Sequence, residues 1–221
     1  IVTNTSCGEV VLSTMKDGWA YGVDAGSGSP GTVPVRWQFP PTGTFDPTSS
    51  NFFSVGDGTS HGDIRYLIPG AAHHNNYVTM TGGEEVTADV DLGFNRLHSI
   101  NACFGNVRWI KDIPGTTVSV DYQLGPPSLS NGIVYVGTSQ GRLIAIADPS
   151  VYVSAVSRCS HPGFSVADCA ASGYVVVKDP IVLKNLNIGR GSMVRNEPVI
   201  ANNRIYISTT GGYVIMIEPG S

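Results

Sequence analysis

A chain of 221 residues with 13 Lys and Arg against 17 Asp and Glu has a net charge of −4, and only 14% of its residues are charged. That length can bury a substantial core in one or two domains, while the lack of a basic cluster excludes electrostatic binding of nucleic acid or of an anionic membrane surface. No apolar run reaches the roughly 18 residues of a membrane-crossing helix. There is no helical period of useful length either, and the 27 Gly and 14 Pro mark many tight turns, so an all-β fold is expected.

In chain order, residues 1–8 are polar and contain Asn4-Thr5-Ser6, a glycosylation tripeptide that is common by chance. The chain begins at Ile1 without Met or a signal peptide and stops abruptly at Ser221, which reads as a processed or excised piece of something longer. Val10–Met15 and Trp19–Asp24 are expected to pair about Lys16-Asp17-Gly18, with a further short strand at Val35–Phe39 and a linker at Pro40–Ser50. Ser54–Asn76 reads as an irregular insertion, with an exposed loop at Ser54–Asp63, a strand at Asp63–Ile68 and a turn at His73-His74-Asn75-Asn76 leading into Tyr77–Met80. Strands are expected next at Arg96–Asn101, Asn106–Ile113 and Val118–Leu124.

The best-defined stretch is Gly132–Asp148, GIVYVGTSQGRLIAIAD, two alternating strands about the turn Thr138–Gly141. Both strands are apolar on both faces, the pattern of a hairpin packed between two neighbouring sheets rather than one with a wet side. Its copy is Arg204–Gly220: Gly212 falls under Gly141, Tyr206 under Tyr135, Ile217 under Ile146 and Asn202 under Asn131, all at an interval of 71 residues. Val10–Gly28 is a further copy with Gly18 under Gly141, and Tyr77–Trp109 a degenerate one. Such self-similarity marks a repeat architecture. The repeats fall at about 9–40, 51–113, 118–187 and 195–221 of a single segment spanning 1–221, with an insertion at 149–171 and strands at Tyr174–Lys178 and Ile181–Leu186 after it.

Asn101-Ala102-Cys103-Phe104-Gly105-Asn106-Val107-Arg108-Trp109 fits the pattern [D/N]-A-x-x-G-x-x-x-W, and Gly132–Asp148 fits G-x-V-Y-V-G-T-x-D-G-x-L-Y-A-L-D nearly position by position. Together they resemble the repeat of the quinoprotein-like, pyrroloquinoline-quinone-type β-propellers. The resemblance implies four-stranded blades, three to four of them here, belonging to a larger ring completed by further sequence or by another chain; the alternative is a small ring closed by pairing the N-terminal strand with the last blade. It also implies that Trp37 and Trp109, each preceded by Val-Arg, dock between blades with the indole N–H on a backbone acceptor.

Of the four cysteines, Cys159 and Cys169 bracket a short turn-rich loop suited to a disulfide, whereas Cys7 and Cys103 form either a second bridge or two buried thiols. Their spacing suits neither zinc nor covalent haem, and disulfides place the chain outside the cytoplasm, in the periplasm, at the cell surface or secreted. A quinone-dependent dehydrogenase would need adjacent cysteines, a catalytic Asp and Glu and Asn ligands for Ca²⁺, none of which carries over to this sequence. The weak Ca²⁺ candidates are Asp89, Asp91 and Asn95, and Asp57, His61 and Asp63 form a weaker set. Glu84 and Glu85 are adjacent, so a strand would point them to opposite faces. The expectation is therefore a propeller without cofactor or catalytic residues, an interaction or scaffold module whose partners are other protein chains or the remainder of the ring. The alternative is a fragment of a quinone-dependent dehydrogenase. Function is expected in the insertions, Ser54–Asn76 and Val151–Ser172.

Overall fold

A computed structural model describes residues 2–5, 7–14, 20–26, 34–39, 66–74, 77–83, 94–114, 125–149, 155–159, 164–171, 176–188, 194 and 196–218. Strands β1 (Val2–Thr5), β2 (Gly8–Thr14), β3 (Ala20–Asp24) and β4 (Val35–Phe39) form one sheet in sequential order. The next meander is β5 (Tyr66–His74), β6 (Tyr77–Gly83), β7 (Phe94–Asn101) and β8 (Val107–Pro114). A third sheet begins with β9 (Ser128–Ser130), β10 (Ile133–Gly137) and β11 (Arg142–Ala147), and a fourth contains β15 (Val199–Ala201), β16 (Arg204–Ser208) and β17 (Val214–Ile217). These are four successive blades of β-propeller type. Their innermost strands are neighbours in order, β5 against β9 and β9 against β15.

The hairpin that organises the sequence closes as its pattern requires. Ile133 pairs with Ala147 and Gly137 with Leu143. Gly141 takes the left-handed φ of 72° that the turn demands, its N–H donating to the Thr138 carbonyl at 3.0 Å. Alternation then sorts the side chains. The face towards the preceding blade, here the rear face, carries Val134, Val136, Ile144 and Ile146, which bury against Leu97, Trp109 and Ile113 of blade 2. The front face, towards the following blade, carries Tyr135 and Leu143, which pack with Val194, Ile205, Ile207 and Ile217. Each fully buried aliphatic side chain here contributes about 1.5–3 kcal/mol relative to exposure.

The expected insertion is longer than 149–171 and belongs to a different blade from the one that emits it. It contains β12 (Ala155–Cys159), the single-turn α1 (Val166–Cys169) and β13 (Val176–Pro180). The β12–β13 hairpin leaves blade 3 and joins the outer edge of blade 2, where Lys178 of β13 pairs in parallel with Trp109 of β8. An edge strand offers unpaired backbone groups, and this hairpin covers them. Lys111 of β8 fixes it through an ion pair to Asp179 at 2.8 Å. The chain then returns as β14 (Val182–Asn187), which pairs with β11 and completes blade 3.

Three further readings are corrected. Val2–Thr5 lies within the polar stretch read as preceding the first hairpin, yet it is an inner strand paired to β2. His73 and His74 end β5 instead of forming a turn, because they pair with Val78 and Tyr77. Tyr66–His74 of the expected Ser54–Asn76 insertion is thus the inner strand of blade 2, and the rest of that stretch lies outside the described residues. The inner strand of blade 3 is Ser128–Ser130, and the strand expected at Val118–Leu124 lies outside the described residues.

Candidate functional site

The junctions between blades show what the repeat residues do. At the first, Trp37 of β4 lies across its own sheet over Gly22 and against Gly105 of blade 2, and its indole N–H donates to the Ala102 carbonyl at 2.7 Å. A Cβ on Gly22 would stand 2.2 Å from the ring and one on Gly105 2.8 Å, so both positions require glycine. Asn101 shapes the socket: its side-chain oxygen accepts from the N–H groups of Cys103 and Phe104, and its carbonyl accepts from Gly105 N–H. The Asn-Ala-x-x-Gly pattern is thus a receptor for the preceding blade's tryptophan. A Cys7–Cys103 disulfide, linking the β1–β2 turn to this same turn, ties blade 1 to blade 2. Arg36 reinforces the union by donating to the Cys7 carbonyl at 3.1 Å and pairing with Asp24.

At the second junction Trp109 is fully buried, but among the described residues its indole N–H has no hydrogen-bond acceptor. Arg108 reaches across instead, forming a 3.0 Å ion pair with the buried Asp148 of blade 3.

No indole fills the third junction. The position in register with Ala145, where the first blade has Trp37 opposite Gly22, is Lys184, which is exposed. Val194 enters from the connecting segment, its N–H donating to the Thr138 carbonyl at 2.9 Å, and its side chain occupies the space above Gly137, where a Cβ would stand 2.2 Å away. A cleft of about 480 Å³ opens at the rim of this junction. Its apolar floor is Ile133, Tyr135, Ile200, Ile205 and Ile217. Above it stand Asn131, Asn202 and Asn203, held in left-handed turns at φ of 50°, 51° and 60°, as two-residue hairpin turns require. The ion pair Arg204–Glu218, at 2.9 Å, closes one side. Amide donors and acceptors with one charged pair over an aliphatic floor suit a ligand that is part apolar and part hydrogen-bonding, such as an extended peptide.

The repeat alignment carried a signal for this cleft. Arg204 and Glu218 lie 71 residues beyond Ile133 and Ala147, an apolar cross-strand pair in blade 3. An ion pair in place of an apolar pair marks where the repeat serves something besides packing.

Asp89, Asp91, Asp57, His61, Asp63, Glu84 and Glu85 lie outside the described residues, and Asn95 sits in β7 opposite Ile113. Among the described residues no three His, Cys, Asp or Glu gather as metal ligands. All four cysteines are held in two bridges, Cys7–Cys103 and Cys159–Cys169. No helix is long and apolar enough to cross a membrane.

No protein-family model matches the chain, and no curated protein matches it. Solved structures do. A computationally designed protein, Ika8, is similar over 98% of this chain and 57% of its own, at 13% identity and a TM-score of 0.40. A quinohemoprotein alcohol dehydrogenase from Pseudomonas putida HK5 is similar over 96% of this chain and 34% of its own, at 11% identity and a TM-score of 0.44. BamB from Moraxella catarrhalis is similar over 99% and 82%, at 14% identity and a TM-score of 0.23. The chain thus spans about half the length of the first of these and a third of the second.

Proposed function

We propose that this chain is a non-catalytic β-propeller module of an extracytoplasmic protein, presenting its insertion to protein partners. The carrying observation is the insertion's surface. Val156 is 67% exposed and Val176 48%, and Phe164 and Val166 are exposed as well. Apolar side chains concentrated on one solvent-facing insertion mark an interaction surface. The scaffold beneath it is stiff. The Cys159–Cys169 disulfide pins α1 to the hairpin, Ser165 caps the helix by accepting from Asp168 N–H, and Asp179 binds the hairpin to Lys111. Stiffness lowers the ordering cost of binding. Two disulfides with no free cysteine among the described residues support an oxidising compartment.

The test places a photo-crosslinking residue at Val156 or Val176 in the producing cell, with Glu197 as the surface control. Discrete crosslinked species from the insertion sites, and none from the control, are expected. In parallel, purified protein is titrated with pyrroloquinoline quinone and Ca²⁺ while absorbance and dye reduction are followed. Cofactor capture with dye reduction, and no crosslink, would replace this reading with the dehydrogenase one.

A further inference from the structure

The first junction sets a cation on a sulfur. Arg36 of β4 lies beside the Cys7–Cys103 bridge, its Nη1 donating to Cys7 Sγ at 2.7 Å and its Nη2 to the Cys7 carbonyl at 3.1 Å. Asp24 of β3 pairs with the same guanidinium, so the charge is fixed on that spot from both sides. A sulfur within a disulfide is a weak acceptor, and the guanidinium gains little from it. Once the bond is cut the same sulfur becomes a thiolate, which a neighbouring arginine stabilises far more strongly. The placement therefore favours the reduced bridge relative to the oxidised one.

The two bridges of the chain differ in access. Cys159 and Cys169 are both buried, at 3% and 0% exposure, whereas here Cys103 is buried at 2% and Cys7 is half-buried in the turn between β1 and β2. A reductant arriving at the first junction thus meets the sulfur of Cys7. What the bond restrains is the tryptophan socket. Cys103 follows Ala102, whose carbonyl receives the Trp37 indole N–H, and stands two residues before Gly105, on which the ring lies. Its own N–H is held by the Asn101 side chain at 2.8 Å, so a pull on Cys103 is a pull on the socket. Cutting the bridge removes a link between residues 96 apart in sequence and unties that socket from the β1–β2 turn.

We propose that Cys7–Cys103 is a thiol-exchange site, at which a dithiol reductant attacks Cys7, Arg36 holds Cys7 as the departing thiolate, and the first junction is released. One thiolate of the reductant bonds to Cys7 Sγ and the bond to Cys103 breaks, its electron pair leaving on the Cys103 sulfur, which takes up a proton. The second thiol of the reductant, on losing its proton, attacks the reductant's own sulfur in this mixed disulfide and displaces Cys7 as a thiolate beside Arg36. Two electrons have passed to the bridge, and the reductant departs as its disulfide. A leaving sulfur whose thiolate is stabilised leaves faster, and an accessible bridge is the more easily reduced.

The test equilibrates the full 221-residue chain in buffers of reduced and oxidised dithiothreitol, and differential alkylation with peptide mass spectrometry reads each bridge separately. Cys7–Cys103 should open at a ratio of reduced to oxidised dithiothreitol at least about tenfold below that needed for Cys159–Cys169. With glutathione, a monothiol, the trapped mixed disulfide should sit on Cys7 and not on Cys103. Arg36→Gln should raise the ratio needed at Cys7–Cys103 about tenfold, Arg36→Lys should restore most of the difference, and neither should move Cys159–Cys169, which reports an intact fold. An arginine that only braced the junction would act in the opposite direction, since its loss would loosen the oxidised form and ease reduction. Reduction, or Cys7→Ser with Cys103→Ser, should speed hydrogen exchange in β4 and in residues 102–105 and leave β10 and β11 unchanged. The proposal is overturned if both bridges open at one ratio, if glutathione is found on Cys103, if the Arg36→Gln protein is reduced as readily as the unmodified chain or more so, or if exchange in β4 does not change.

Discussion

Conservative replacement of the two docking tryptophans by phenylalanine separates their roles. Trp37→Phe removes the hydrogen bond to Ala102 and leaves that carbonyl without its partner in a buried junction, which costs about 1–2 kcal/mol. The smaller ring also buries less area, a loss of about 1 kcal/mol, and Gly22 and Gly105 have no side chains with which to fill the gap. The expected total is about 2–3 kcal/mol. Trp109→Phe loses a similar area, but it deletes a buried N–H that has no acceptor among the described residues, and such a group costs about 1–3 kcal/mol to bury. The two effects offset, and Trp109→Phe should cost about 1 kcal/mol or less although Trp109 is the more deeply buried ring. Urea unfolding followed by far-ultraviolet circular dichroism, under non-reducing conditions so that Cys7–Cys103 holds blade 1 in both variants, gives both values. If Trp109→Phe proved as costly as Trp37→Phe, the difference in hydrogen bonding would not be what distinguishes the junctions.

Gly137→Ala places a methyl against Val194 and should destabilise by about 1–3 kcal/mol, while Val194→Ala in the same chain recovers part of the loss, a coupling that a double-mutant cycle measures. Asp148→Ala strands Arg108 in a buried junction and should cost about 3 kcal/mol or more, whereas Glu218→Ala, which breaks the half-exposed Arg204 pair, should cost at most about 1 kcal/mol; equal urea midpoints for the two would refute the role of burial. Replacing Cys159 and Cys169 by Ser should speed hydrogen exchange in α1 and β12 and leave β10 and β11 unchanged, because the bridge closes a local loop outside the blade packing.

What the sequence made legible follows from how much side-chain pattern each element carries. β10 and β11 sit between two blades and must be apolar on both faces, so their pattern is unmistakable. The inner strands β1, β9 and β15 are only three or four residues long, and Val-Thr-Asn-Thr or Ser-Leu-Ser cannot reveal a strand whose partner alone makes it one. The destination of β13 was hidden for a related reason. Its Val-Val-Lys-Asp-Pro pattern is compatible with any sheet, and the choice of blade 2 rests on Lys111–Asp179, a contact 68 residues apart in sequence.

The repeat is most informative where it fails to repeat. Between Trp37 and Trp109 the junctions are built to one plan, a tryptophan from one blade entering the next, and such positions report packing alone. Substitutions that packing does not require begin at the third junction: Lys184 where the register has held Trp, Val194 recruited from a connecting segment, and Arg204 with Glu218 in place of an aliphatic pair. Replacing a large ring by a smaller wedge forfeits buried area, and setting a charged pair at the rim adds little stability in compensation. A junction weakened in both respects is where a cleft opens.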